Sequence, residues 1–142
     1  MTQQEWQHIY QLVGAAMEVH NELGRGMAES IYQEALAHEF LMREIPFLKE
    51  KPIHVYYKNI LLKKVFVTAF ICDDVIVELK AVEEITTEHR AQLFNYLRIT
   101  RKTKGLLINF GERNLHCERY LFSDEDDGFI LLTNNNYRAY ID

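Results

Sequence analysis

Glu78 and Lys80 stand two residues apart in the run Val75-Ile76-Val77-Glu78-Leu79-Lys80. The other four residues are apolar, so the run reads as a β-strand covered on both faces. Side chains alternate along a strand, and residues at i and i+2 share a face. A carboxylate and an ammonium on a covered strand are costly unless they are paired or bound to something. The pair is therefore either a structural ion pair or a site where the carboxylate holds a metal ion and the lysine touches an anion.

Three neighbours add to it. Gln92 and Tyr96 are four apart on the helix expected after the strand, so they share a face that packs back on the sheet; they are ordinary amphipathic residues or groups leaning over the site. Glu29 and Tyr32, in Gly26-Met27-Ala28-Glu29-Ser30-Ile31-Tyr32, fall in the first turns of another helix. The helix dipole alone favours an acid there. If Asp73-Asp74 is a tight turn, Cys72 pairs with Val75, Ile71 with Ile76 and Phe70 with Val77, which leaves Ala69 beside Glu78.

These residues need elements to hold them. Thr2 to Glu5 reads as a capping box, followed by a helix from about Glu5 to Leu23 with Trp6, Ile9, Tyr10, Val13, Met17 and His20 on its apolar face. His20 fits a hydrogen-bonded structural histidine. Gly24-Arg25-Gly26 ends the helix. A second runs from about Ala28 to Arg43, with Ile31, Tyr32, Ala35, Leu36, Phe40 and Leu41 inward, and Ile45-Pro46-Phe47 breaks it. The period then changes to two. Strands are expected at Ile53 to Tyr57, Leu61 to Cys72 and Val75 to Ala81. Thr86 or Thr87 caps a third helix from roughly Glu88 to Ile99, and His89 could face the groove beside Gln92. Lys104 to Phe110 and Leu115 to Phe122 are further strands. The acidic stretch from Ser123 to Asp127 reads as a loop. Phe129 to Thr133 either packs on the chain's own sheet or adds a strand to a neighbouring copy, and Tyr137 to Asp142 is expected to fray. The order is α-α-β-β-β-α-β-β. The third strand, third helix and Lys104 strand make a β-α-β unit, hence a parallel pair in a mixed α/β sheet flanked by helices.

The chain has 142 residues, 48% apolar and 26% charged, which suits one domain, 1–142, with a real core. No run is long enough to span a membrane, and the N-terminus lacks a secretory pattern, so a cytoplasmic protein is expected. Cys72 and Cys117 have no metal-ligand spacing and read as reduced core thiols. A net charge of −5 argues against broad, nonspecific nucleic-acid binding. Arg98, Arg101, Lys102 and Lys104 form either a local basic groove or a solvated helix end. No glycine-rich phosphate loop follows a strand and no nucleophile elbow is present, which counts against nucleotide cofactors and serine hydrolysis.

The segment Gly26 to Tyr32 resembles the signature of the GxxExxY protein family. Glu18 to Gly24, Val77 to Ala81, Ala91 to Leu97 and Gly105 to Phe110 resemble that family too, in the right order, over about Ile9 to Tyr120. Residues 123–142 lie beyond the resemblance as an extension. The family is grouped with the PD-(D/E)XK nucleases, in the RecB-like branch, and the resemblance implies a restriction-endonuclease-like fold with a Mg²⁺- or Mn²⁺-dependent phosphodiesterase site acting on DNA or RNA. Glu29 is then the helix-borne acid, Glu78 and Lys80 the E-x-K pair, and Gln92 and Tyr96 the QxxxY pair, with Glu78 and Glu29 on the metal. The family's strand aspartate falls at Ala69, and the connection to Glu78 is one residue short. Asp74 shares strand parity with Glu78 but sits roughly 13 Å along an extended strand. The expectation is thus a metal-dependent nuclease or a catalytically impaired copy of one. The alternative is a non-catalytic module binding nucleic acid or protein on the same fold, with a homo-oligomer left open.

Overall fold

The computed structural model describes residues 1–123 and 128–142; most of the acidic stretch read as a loop lies outside the described residues. Helix α1 spans Gln3–Leu23 behind the Thr2–Glu5 capping box, and Gly24, at φ +68°, closes it with its N–H on the His20 carbonyl. Helix α2 is Glu29–Met42 and α3 is Thr87–Thr100, capped by Thr86. The strands are β1 (Leu48–Lys49), β2 (Pro52–Tyr57), β3 (Ile60–Val67), β4 (Phe70–Cys72), β5 (Val75–Lys80), β6 (Lys104–Asn109), β7 (His116–Ser123) and β8 (Gly128–Leu132).

Six strands form one sheet in the order β1-β4-β5-β6-β7-β8. β5 and β6 are parallel, joined through α3, and the other neighbours are antiparallel. This is a mixed sheet with helices on both faces, the restriction-endonuclease-like arrangement expected. Val75, Val77 and Leu79 face a core built with α1 and α2, while Ile76 faces a second core with Leu93, Tyr96 and Leu97 of α3. β8 joins the chain's own sheet beside β7.

Several expectations are corrected. The strand read from Leu61 to Cys72 is two strands on two sheets. β3 pairs with β2 as a separate hairpin, and only after Thr68 and Ala69 does the chain enter the main sheet as β4. The apolar run continues through the break and hides it. At the break the buried Thr68 hydroxyl donates to the Val77 carbonyl (3.1 Å), and the Ala69 carbonyl accepts from Glu50 N–H (3.2 Å). The two-residue β1 was not foreseen. On α1, Tyr10 and Met17 are exposed while Leu12, Ala15, Ala16 and Val19 are buried, because two layers press on the helix and widen its buried face. On α2, Ile31 and Leu41 are exposed; Tyr32, Leu36 and Phe40 carry the contact.

The C-terminal segment does not fray. A 3-10 turn at Tyr137–Tyr140 stacks Tyr137 on Trp6 (centroids 4.2 Å apart), and Asp142 N–H donates to the Met1 carbonyl at 2.8 Å. Both cysteines are free thiols, Cys72 buried and Cys117 partly so.

Candidate active site

Alternation along β5 turns Glu78 and Lys80 towards α3, on the side of Ile76. Lys80 Nζ donates to Gln92 Oε1 at 3.3 Å, and Gln92 Nε2 donates to the Tyr96 hydroxyl at 3.0 Å. The strand pair and the helix pair therefore form one hydrogen-bonded row. Thr86 sets where α3 begins, and Gly105 of β6 lets it approach closely, because a Cβ there would press on Leu93 and Leu97.

Glu78 is 6% exposed, and its Oε1 has no hydrogen-bond partner among the described residues. Burial pushes its carboxyl up to about 7. The Thr68 hydroxyl, the Lys80 charge and the Ala69 amide pull the other way without cancelling that penalty, and the Glu29 carboxylate adds to it. Burial, and after it the Glu78 charge, raise the Tyr96 hydroxyl.

Glu29 comes from the first turn of α2 and is exposed. Its helix has no side-chain cap, and Tyr32 supplies the anchor instead. The buried Tyr32 hydroxyl donates to the Gly24 carbonyl (2.6 Å) and accepts from Met27 N–H (3.2 Å), while its ring stacks on Phe110 (centroids 4.6 Å apart). Tyr32 thus ties the glycine turn and the start of α2 to the end of β6.

Across from Glu78 there is no acid. The ladder runs Cys72 to Val75, Ile71 to Ile76 and Phe70 to Val77, as the turn residues indicate, so Ala69 is the next position. The polar side chain on that segment is Thr68, fully buried and within hydrogen-bonding reach of the carboxylate. Sequence reasoning passed over Thr68; a lone hydroxyl inside an otherwise apolar stretch was the available signal. Asp74 is no substitute, because its carboxylate is bound to Lys104 together with Glu5. That pairing takes Lys104 out of the basic cluster as well: it is buried among acids, not lining a groove.

A second residue that was passed over is Asn109. Fully buried at the end of β6, it brackets the chain just after Lys80: Nδ2 donates to the Val82 carbonyl (2.9 Å) and Oδ1 accepts from Val82 N–H (3.0 Å). The same Oδ1 accepts from Gly111 N–H at 3.0 Å. Gly111 is crowded against the Val82 backbone, where any Cβ would overlap it. Of the histidines, His20 bonds the Glu112 carbonyl at 3.0 Å, and His89 completes the Thr86 cap while lining the groove beside Gln92.

A hard divalent cation binds one or two carboxylates and keeps several waters. Glu78, with a buried and unpartnered oxygen, and Glu29, close enough to repel it, suit such an ion, which would relieve both penalties. No cluster of three metal-ligating side chains occurs among the described residues.

The six-stranded mixed sheet with α3 crossing between its parallel strands is consistent with a restriction-endonuclease-like fold. A family profile for the PD-(D/E)XK nuclease superfamily matches residues 6–120. The chain belongs to that superfamily. Comparison with curated proteins and with solved structures finds no match. No helix among the described residues is long and apolar enough to cross a membrane.

Proposed function

We propose that this chain is a catalytically impaired, metal-dependent phosphodiesterase of the GxxExxY type, in the RecB-like branch. The observation that carries the reading is the buried Glu78 carboxylate, with Oε1 unpartnered and neutral residues at 68 and 69 across from it.

In this reading Glu78 and Glu29 hold Mg²⁺ or Mn²⁺. When bound, such an ion screens phosphate charge and makes a bound water more acidic. Lys80 lies beside the carboxylate and donates to the oxyanion that develops on phosphorus. Gln92 fixes the lysine through its Oε1, and Tyr96 fixes Gln92 in turn, so the ammonium keeps its aim without an acid to hold it. With no carboxylate at 68 or 69, and with the Glu118 carboxylate of β7 engaged by Arg90, affinity for the ion is weak and the nucleophile is poorly placed.

The test is calorimetry with Mg²⁺ and Mn²⁺ on the wild type, Ala69→Asp and Thr68→Asp, followed by cleavage assays on single- and double-stranded DNA and RNA. Metal binding and cleavage in one aspartate variant, with little of either in the wild type, is the expected result, and it identifies which position restores the site. Wild-type cleavage that is lost in Glu78→Ala means the chain is an intact enzyme. If no form binds metal, the non-catalytic module is the better reading.

A further inference from the structure

We infer that the β2–β3 hairpin, with the groove between it and α3, holds the backbone and bases of a single-stranded nucleic acid; the inference rests on the phosphodiester reading above.

The first observation is charge. Residues 51–67 carry Lys51, Lys58, Lys63 and Lys64 and no aspartate or glutamate, in a chain of net charge −5. A lysine-rich arm on an acidic body attracts a polyanion locally while the body repels it elsewhere.

The second is which face the arm presents. The register pairs Ile53 with Phe66 and Tyr57 with Ile60 on either side of a bulge, and Lys64, whose ammonium sits over the Phe66 ring, lies on the same face. At its inner end the face is docked: Ile53 is buried in the α3 core, and the Phe66 ring lies 5.7 Å from that of Tyr96. At its outer end Tyr57 and Ile60 are more than half exposed. Phe66 to Ile60 spans roughly 20 Å of extended strand.

The third is continuity. A groove of about 700 Å³ lies along α3 where Phe66 of the arm meets it, lined by Glu88, Gln92, Asn95, Tyr96 and Arg98 among others. Gln92 and Tyr96 belong to the row that ends on Lys80, so a strand lying in the groove leads straight to the candidate site. At each end of the arm one ring carries one ammonium group: Lys64 Nζ sits 5.6 Å from the Phe66 centroid and Lys58 Nζ 5.5 Å from that of Tyr57. Exposed aromatic faces flanked by cations are what a single strand uses, bases on the rings and phosphates on the ammonium groups. A duplex keeps its bases stacked on one another and gives the rings nothing to stack with. A protein is the competing occupant, since Leu61, Val65 and Val67 are exposed on the opposite face. The absence of acids along residues 51–67 and the junction with the Gln92–Tyr96 row favour the nucleic acid.

The experiment is fluorescence anisotropy of labelled oligothymidylate, oligouridylate and a DNA duplex, in EDTA, so that the readout is independent of metal and cleavage. The expected result is single-strand binding that weakens at least about tenfold in the triple variant Tyr57→Ala, Lys58→Ala, Lys64→Ala. The slope of affinity against salt should fall by about 0.7 for each lysine removed. Lys49→Ala, outside the hairpin, should bind as the wild type does. Circular dichroism and thermal unfolding check that the triple variant folds; the single Lys64→Ala variant serves if it does not. Wild-type binding that the hairpin variants leave unchanged overturns the inference while the phosphodiester reading stands. A dimer in sedimentation that the hairpin variants dissociate, with oligonucleotide affinity intact, overturns it in favour of a protein interface. If the wild type binds neither single strand, the arm has no such role, and metal binding by the aspartate variants then decides the catalytic reading separately.

Discussion

The Tyr32 hydroxyl donates to the Gly24 carbonyl at 2.6 Å, across the turn that separates the first two helices. The start of α2, and with it Glu29, is therefore held by a side chain one turn further along rather than by an N-terminal cap. Tyr32→Phe keeps the stacking on Phe110 and leaves the carbonyl and the Met27 amide without their partner. It should cost about 1–2 kcal/mol in urea unfolding. In an aspartate variant that binds metal it should also weaken binding, as Glu29 loses its fixed place. Unchanged metal affinity would mean that Glu29 is not a ligand.

Glu78 makes stability depend on pH in a definite direction. Its carboxyl is pushed up to about 7 in the folded chain, from 4.5. Folding is favoured by this group below about 4.5, where both states are protonated, and that advantage is lost as pH rises to about 7 and the native state must bury a charge. Glu78→Gln removes the penalty, so the variant should gain on the wild type as pH rises from 4 to 8, by on the order of 3 kcal/mol. Thermal unfolding of the two proteins across that range measures it; a difference independent of pH would refute the raised carboxyl.

Metal binding follows the same proton. A cation needs the ionised carboxylate, so in the metal-binding aspartate variant affinity should climb up to about pH 7, with proton uptake by the buffer below that point. Calorimetry in buffers of different ionisation heat counts the protons released. No release at pH 6 would place the metal away from Glu78.

Gln92 bridges Lys80 and Tyr96, so its removal should misaim the lysine without disturbing the fold. Gln92→Ala should lower cleavage by the restored variant about tenfold, with unfolding little changed. Tyr96→Phe should have a smaller effect, since Gln92 keeps its bond to Lys80. Equal activity in both would show that the row does not act on the reacting phosphate.

Gly111 has no room for a side chain against Val82, and this close approach keeps the end of β5 beside the end of β6. Gly111→Ala should destabilise the fold by roughly 2–3 kcal/mol. Unfolding midpoints report it directly.

Much of this arrangement was legible in the residues. The alternation of Val75 to Lys80, the Asp73-Asp74 turn and the Thr86 cap are local signals, and each fixes where Glu78, Lys80, Gln92 and Tyr96 point. What escaped has a physical reason. The break lies inside a run that is apolar but for Thr68, and the hairpin and the sheet use the same period, so that one hydroxyl is the whole of the local signal. Tyr10 and Met17 sit at helical spacing with the true core residues, and the packing of two layers on α1 decided which were covered. Asn109 and the Arg90–Glu118 pair, which bonds twice at 2.7 and 2.8 Å, depend on contacts between segments far apart in the chain. Short motifs carry no trace of those.

The parallel pairing of β5 with β6 has a kinetic consequence. β4 reaches β5 through a two-residue turn, whereas residues 104–109 must be made and α3 laid across before the other edge is closed. During synthesis Val75 to Leu79 is a wholly apolar edge but for one acid, and open-edged strands of this kind recruit other chains. Refolding should therefore slow or lose yield as protein concentration rises, and a fragment ending before Lys104 should aggregate where the longer chain does not.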